Sequence, residues 1–313
     1  MPRADLRFPC RKPVRRLKPP SAFSIKLSAD LMHPRDQDTA PPCDTLHIYY
    51  IKGRLKDTED VAGNGFIGNW EEEDTSFLFF SDYAPDRIDN LLKRQPHLVL
   101  ADRFCMSYDD WHGEPIRPMR AGRFRIMPPW HTIDIATDEI PIILDPGVVF
   151  GVGNHPTTRD CLVCLEQLFD RHAIASTLDL GTGTGVLAIA AARLGSPKNL
   201  AVDNNFLAAN TARRNVRING LDDHVFVACG SAADFVYYPS DLIMANIHFD
   251  VMQVIVSDPG FFDHKWFVLS GLLRSEAEKI AAMLSDSPAT ITDRLVRDGI
   301  WHTFYGNCGQ HDI

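Results

Sequence analysis

Two carboxylates and three glycines carry the densest chemistry in this chain. They are Asp179, Gly181, Gly183, Gly185 and Asp203. The glycines recur at every second position after a short β-branched and apolar run, 177–180, which suits a buried parallel strand. They let the backbone turn tightly and let a ligand approach the main chain. An Ala/Leu/Ile-rich run at 186–194 reads as a buried helix, stopped by Gly195 and Pro197. A second strand, 200–202, then ends on Asp203. In an open α/β sheet ligands bind beyond the carboxyl ends of the strands, where an acid accepts from both hydroxyls of a ribose. A nucleoside cofactor is therefore expected. The spacing is Asp-x-Gly-x-Gly-x-Gly, not the dinucleotide G-x-G-x-x-G. Asp179 would repel a pyrophosphate but suits a cation. S-adenosylmethionine, with a ribose, a sulfonium and an amino group, fits both acids.

Other candidates lie on either side. Gly147, Gly151 and Gly153 precede Asn154-His155-Pro156-Thr157-Thr158, and apolar residues at 161, 162, 165, 168 and 169 then form one helical face. Thr157 or Thr158 can cap that helix, whose free N–H groups would face an anion such as a cofactor carboxylate. The bland alternative is an ordinary capped helix under a loop, and His155 is a weak candidate base. Asn246 closes a strand at 241–245; its carbonyl can accept from an amine and its NH₂ can hold a cofactor oxygen. Asp234 follows a strand at 225–228, where an adenine edge is read. Cys161 and Cys164 form a C-x-x-C inside a helical pattern with no second pair, which reads as reduced core thiols and predicts no metal site.

The elements that must position these residues divide the 313-residue chain into three. Residues 1–44 are Pro- and Arg-rich without periodicity and read as a disordered tail. Two other readings are an RNA-binding arm and a true start at Met32. Residues 45–121 carry strands at 46–51, 65–70, 76–80 and 98–104 and helices at 57–62 and 85–94, a β-α-β-β-α-β order that predicts a ferredoxin-like domain. Residues 122–313 carry the cofactor sheet, with a further helix at 206–219, a fifth strand at 266–270, a helix at 275–284, and a closing hairpin flanking Asp298-Gly299. That antiparallel hairpin separates the plan from a dehydrogenase Rossmann sheet. The net charge is −9, and residues 1–18 carry +6, so the remainder holds −15. An acidic body argues against nucleic acid as the main partner, except through the tail, and favours a basic protein. No apolar run spans a bilayer and no signal core is seen, so a cytoplasmic protein is expected.

These residues resemble the PrmA-type methyltransferases that modify ribosomal large-subunit protein eleven. The matching pieces are Asp145-Pro146-Gly147, Phe150-Gly151-x-Gly153, His155-Pro156-Thr157-Thr158, the glycine motif from Leu178 to Ala190, Asp203, Asn215 with Asn219-Gly220, and Ala245-Asn246-Ile247. The resemblance covers about 122–310 well and 45–121 weakly. It implies a class I methyltransferase α/β fold, a Rossmann-like sheet with a terminal antiparallel hairpin, and a ferredoxin-like substrate-recognition domain. It implies that Thr158, Gly181, Asp203 and Asn246 contact S-adenosylmethionine, with Thr157 beside them; the residues themselves add Asp179, Gly183 and Asp234. The implied reaction is methyl transfer to amino groups of a ribosomal protein, with Asn246 orienting the amine. Where the family has threonines this chain has Val152 and Asn154, and His248-Phe249 replace Leu-Ala. The last change borders the acceptor's entrance, so another protein lysine or a small amine is an alternative acceptor. A non-catalytic cofactor-binding module is the alternative of another class.

Overall fold

A computed structural model describes residues 41, 43–131, 134–149 and 153–309. The expectations for 1–40 and for Phe150, Gly151 and Val152 lie outside the described residues.

The glycine motif sits in a seven-stranded sheet among the described residues, ordered β10-β9-β8-β11-β12-β14-β13. Its strands are β8 (Ser176–Leu180), β9 (Lys198–Asp203), β10 (Val225–Cys229), β11 (Leu242–Asn246), β12 (Trp266–Leu273), β13 (Thr290–Arg297) and β14 (Trp301–Asn307). The first five run parallel, and β14 returns antiparallel between β12 and β13. Asp298 and Gly299 both have positive φ, 55° and 67°, as a type I′ hairpin turn requires. Helices cover both faces: α3 (Pro156–Arg171), α4 (Val186–Arg193), α5 (Phe206–Ile218), α6 (Ala232–Phe235), α7 (Phe249–Val256) and α8 (Arg274–Ser285). Helix α4 is buried along most of its length, so its sequence is apolar all round rather than striped. Cys161 and Cys164 are buried free thiols on α3, and burial pushes both thiols up.

The earlier segment forms a four-stranded antiparallel sheet, β2-β3-β1-β4, from β1 (Thr45–Lys52), β2 (Phe66–Glu72), β3 (Thr75–Phe80) and β4 (Val99–Ser107). Helix α1 (Pro85–Arg94) covers one face over Tyr49, Ile51, Leu78 and Phe80. The strand order is ferredoxin-like, but the helix expected at 57–62 is a single turn closed by Ala62 N–H on Thr58 O at 3.0 Å. The run offers Val61 alone to the core and leads into Gly63 and Gly65 at positive φ, so no apolar stripe exists to propagate a helix. The buried Gln95 holds that loop instead, donating to Asp57 O and Asp60 Oδ2 at 2.9 Å each.

After the small sheet come α2 (Tyr108–His112), β5 (Met119–Ala121), β6 (Phe124–Met127) and β7 (Ile140–Ile143). The second face of the small sheet is not free. Leu46, Ile48 and Phe79 pack with Tyr108 and Val148, with Trp70, Trp111, Trp130 and Leu207 around them. Helix α7 was not legible as a helix in the sequence. Its N-cap and first residue are His248 and Phe249, where the motif departs from the family pattern. Among the described residues no helix is long and apolar enough to cross a membrane, and no group of His, Cys, Asp or Glu is arranged to hold a metal ion.

Candidate functional site

Strand order reverses between β8 and β11, so a crevice opens beyond their carboxyl ends. The glycine turn forms one wall. Gly181 and Thr182 both donate their N–H to Val202 O, at 2.8 and 2.9 Å, which staples the turn to β9. Gly181, Gly183 and Gly185 adopt φ of 73°, 55° and 85°, the left-handed region that a side chain strains. A Cβ at Gly181 would collide with Cγ2 of Ile247, and one at Gly185 would lie 3.2 Å from the Ala212 Cβ. The turn is thus a close approach on both sides.

Asp203 ends β9 beside this turn. Its Oδ2 accepts from Gly183 N–H and its Oδ1 from Asn205 N–H, both at 2.9 Å. Each oxygen has taken one donor and keeps a lone pair for a hydroxyl. Burial pushes the carboxyl above its ordinary range, and the two N–H groups hold it back. The placement suits an acid that grips a diol.

Asp179 lies differently. It is 1% exposed, and its Oδ2 accepts from Thr182 Oγ1 at 2.5 Å. Burial raises its carboxyl to about 7, against the bonds from Thr182 and the Ala188 N–H. The acid expected from the sequence to meet a cationic ligand thus lies buried beside the glycine turn, bonded to Thr182. The residue before the strand's last turns inward, under the glycine turn, and supports it from below.

The opposite wall joins two distant motifs. Asn246, the last residue of β11, donates from Nδ2 to Thr158 Oγ1 at 3.4 Å. Thr157 and Thr158 are both buried in the first turn of α3. They do not cap the helix, contrary to expectation: Pro156 is already helical, and His155 is the N-cap. Thr157 donates its N–H to His155 Nδ1 at 3.4 Å, and the two side chains meet at 2.7 Å. Nδ1 is thus the acceptor, so the ring proton sits on Nε2. Burial lowers the ring's tendency to protonate, and Trp301 stands edge-on at 4.9 Å. His155 thus caps the helix with its side chain. Asp234 is exposed on α6, which follows β10, a strand further from the crevice than Asp203.

Further residues hold the site; of these Asn215 and Asn219 stood in the sequence only as matching pieces with no assigned part, and Gly271 was not singled out. Gly271, at φ 88°, makes room for the Ile247 backbone: a Cβ there would lie 2.6 Å from Ile247 O. It sits where the β12 and β14 registers shift, and a glycine inside a strand run is the signal for such an approach. Asn215 accepts from Asp145 N–H at 2.8 Å and donates to the Asp145 and Thr184 carbonyls at 2.9 Å each. Asn219 does the same for Ile143, and Arg214 pairs with Asp145. From the other side α2 grips the same loop. Tyr108 donates to Gly147 O at 2.6 Å and Trp111 Nε1 to Val148 O at 3.1 Å. His112 Nε2 lies 3.0 Å from Gly147 O.

A family profile, "Ribosomal protein L11 methyltransferase (PrmA)", matches residues 105–307. A protein of Desulforamulus reducens named ribosomal protein L11 methyltransferase is 35% identical over 209 residues, 65% of this chain and 67% of that one. A protein of the same name from Gloeobacter violaceus is 36% identical, over 65% of this chain and 64% of its own length. The chain thus spans about two thirds of the curated relatives it matches. A crystal structure of a ribosomal protein L11 methylase from Lactobacillus delbrueckii subsp. bulgaricus superposes with a TM-score of 0.54 at 27% identity, covering 61% of this chain and 97% of that one.

Proposed function

The chain belongs to the ribosomal protein L11 methyltransferase (PrmA) family, and on that premise we propose that it moves methyl groups from S-adenosylmethionine to amino groups of a ribosomal protein. The acceptors are lysine side chains, the N-terminus, or both. The observation that carries this reading is the pairing of Asp203, with its free lone pairs at the glycine turn, and Asn246 bonded to Thr158 across the crevice. The residues fit the cofactor. Asp203 would hold the ribose hydroxyls, Gly181 and Gly183 would line the main-chain seat, and Thr157, Thr158 and Asn246 would meet the amino-acid end. Asp234 would face the adenine side, and Asp179 would keep the turn in shape.

When bound, the cofactor supplies a methyl group on a good leaving group, a sulfonium. The chain's part is then mostly placement, since holding reacting atoms ~3–3.5 Å apart accounts for much of such an acceleration. A lysine with a solution pKa of ~10.4 must shed its proton first, and desolvation favours the neutral amine. Asn246 would orient that amine through its carbonyl. In this reading residues 45–121 recognise the acceptor, residues 122–313 carry transfer, and the protein works in the cytoplasm.

Labelled S-adenosylmethionine, incubated with the full chain and either purified protein L11 or a cell lysate, tests the reading. Label in the L11 band is expected. Asp203→Ala should abolish cofactor binding, whereas Asn246→Ala should bind cofactor and transfer at least tenfold more slowly. Label in a different band would move the acceptor elsewhere, a result that His248 and Phe249 at the crevice mouth would explain. Cofactor binding with no labelled product would leave a non-catalytic module.

A further inference from the structure

Asn205 touches three parts of the molecule at once. Its backbone N–H donates to Asp203 Oδ1 at 2.9 Å. Its side-chain oxygen caps α5, accepting from Leu207 N–H at 2.9 Å and Ala208 N–H at 3.3 Å. Its Nδ2 donates to Glu71 O at 3.4 Å, on strand β2 of the small sheet, 134 residues away in sequence. The residue is 8% exposed, so these groups face protein rather than water.

Two residues further on, the same two elements interlock. Leu207 inserts against Gly68 of β2, where any Cβ would collide with the leucine's Cδ1. Gly68 is buried and its φ is outside the left-handed region, so glycine is there for space, not for backbone freedom. Leu207 also joins the apolar cluster of Leu46, Ile48, Phe79 and Val148 that lies between the sheets. Strand β2 therefore rests on the turn that aims the ribose-binding acid.

We infer that Asn205 is a positioning residue that couples cofactor affinity to the docking of the small sheet on α5. The coupling rests on the cofactor reading above. Seating β2 fixes the Asn205 side chain, which fixes its N–H toward Asp203; a ligand on Asp203 in turn favours the seated β2. Such coupling is reciprocal, and a factor of about five in affinity is the low end of its ordinary range. The consequence for the reaction is order: the cofactor-loaded protein presents the docked small sheet and binds its protein acceptor better than the free protein does.

Titration calorimetry with S-adenosylhomocysteine on the full chain tests this. Gly68→Val, which wedges β2 off Leu207 without touching the crevice, should raise Kd about fivefold. Leu207→Ala, which removes the plug without adding bulk, should act in the same direction should the valine variant fail to fold. Asn205→Ser keeps a good N-cap and the backbone N–H but loses the reach to Glu71. It should leave the melting temperature nearly unchanged, raise Kd about fivefold by itself, and leave Gly68→Val with no further effect in the double variant. A Kd within twofold of wild type in folded Gly68→Val and Leu207→Ala would overturn the coupling alone. No binding of S-adenosylhomocysteine by the wild type would overturn the cofactor reading, and the coupling with it.

Discussion

Asp179 and Asp203 are the same side chain put to two uses by their positions in neighbouring strands. Asp203 is the last residue of β9 and holds its carboxyl between two N–H groups at the crevice. Asp179 sits one residue before the end of β8, with its carboxyl buried on Thr182. An ordinary carboxylate in the unfolded chain titrates near ~3.9. In the fold burial lifts Asp179 to about 7. Between those values the folded state holds the extra proton, so this residue's contribution is full below ~4 and is lost as pH rises through about 7. Asp179→Asn cannot ionise and should remove that loss. Urea midpoints measured from pH 5 to pH 8 should fall for the wild type more steeply than for the variant; parallel slopes would place the titration in other groups.

At the scale of elements, the crevice depends on how α3 and the terminal hairpin are held. Asp160, on the second turn of α3, is fully buried and pairs with Arg297 at the end of β13. Arg297 Nε adds a second bond to the same oxygen at 3.2 Å, and Asp160 Oδ2 has no hydrogen-bond partner among the described residues. His155 and Trp301 meet alongside. Helix α3 thereby stays fixed while its first turn presents Thr157 and Thr158. Removing one partner of a buried pair leaves an uncompensated charge, which costs about 3–5 kcal/mol in buried settings. Arg297 is itself half exposed, so Arg297→Ala should destabilise by about 3 kcal/mol, the low end of that range. Asp160→Asn, which removes the charge, should cost less. Chemical denaturation of the two variants gives the comparison, and equal losses would show that packing rather than charge holds the hairpin.

Over the whole molecule, charge would steer the basic acceptor proposed above. With +6 confined to residues 1–18 and −15 over the rest, a basic acceptor meets an attractive field as it nears the body. Ions screen that field over ~8 Å at physiological strength. Raising salt from about 50 to 300 mM should raise KM for a basic protein acceptor several-fold and leave the cofactor's Kd nearly unchanged, because Asp203 acts at contact distance inside the crevice. A flat KM across that range would mean that the acceptor is recognised by shape and apolar contact instead.

Sequence alone determined the elements around the glycine turn, the succession of strands along the chain and the closing hairpin at Asp298-Gly299. Each is written in short-range terms: a run of apolar residues, a breaker, a turn pair with positive φ. It also brought Thr158, Asp203 and Asn246 onto one list of candidates. Tertiary structure decided which way each group points. Asp179 faces inward because residues along a strand alternate sides, and α4, whose Ala188 N–H bonds the carboxyl, lies on its side. His155 became a cap because Pro156 opens the helix one residue before the threonines. The bonds from Asn246 to Thr158 and from Asn205 to Glu71 join residues 88 and 134 apart. No local pattern encodes such a pair, since it exists only once the sheets have assembled and brought the two stretches within bonding distance.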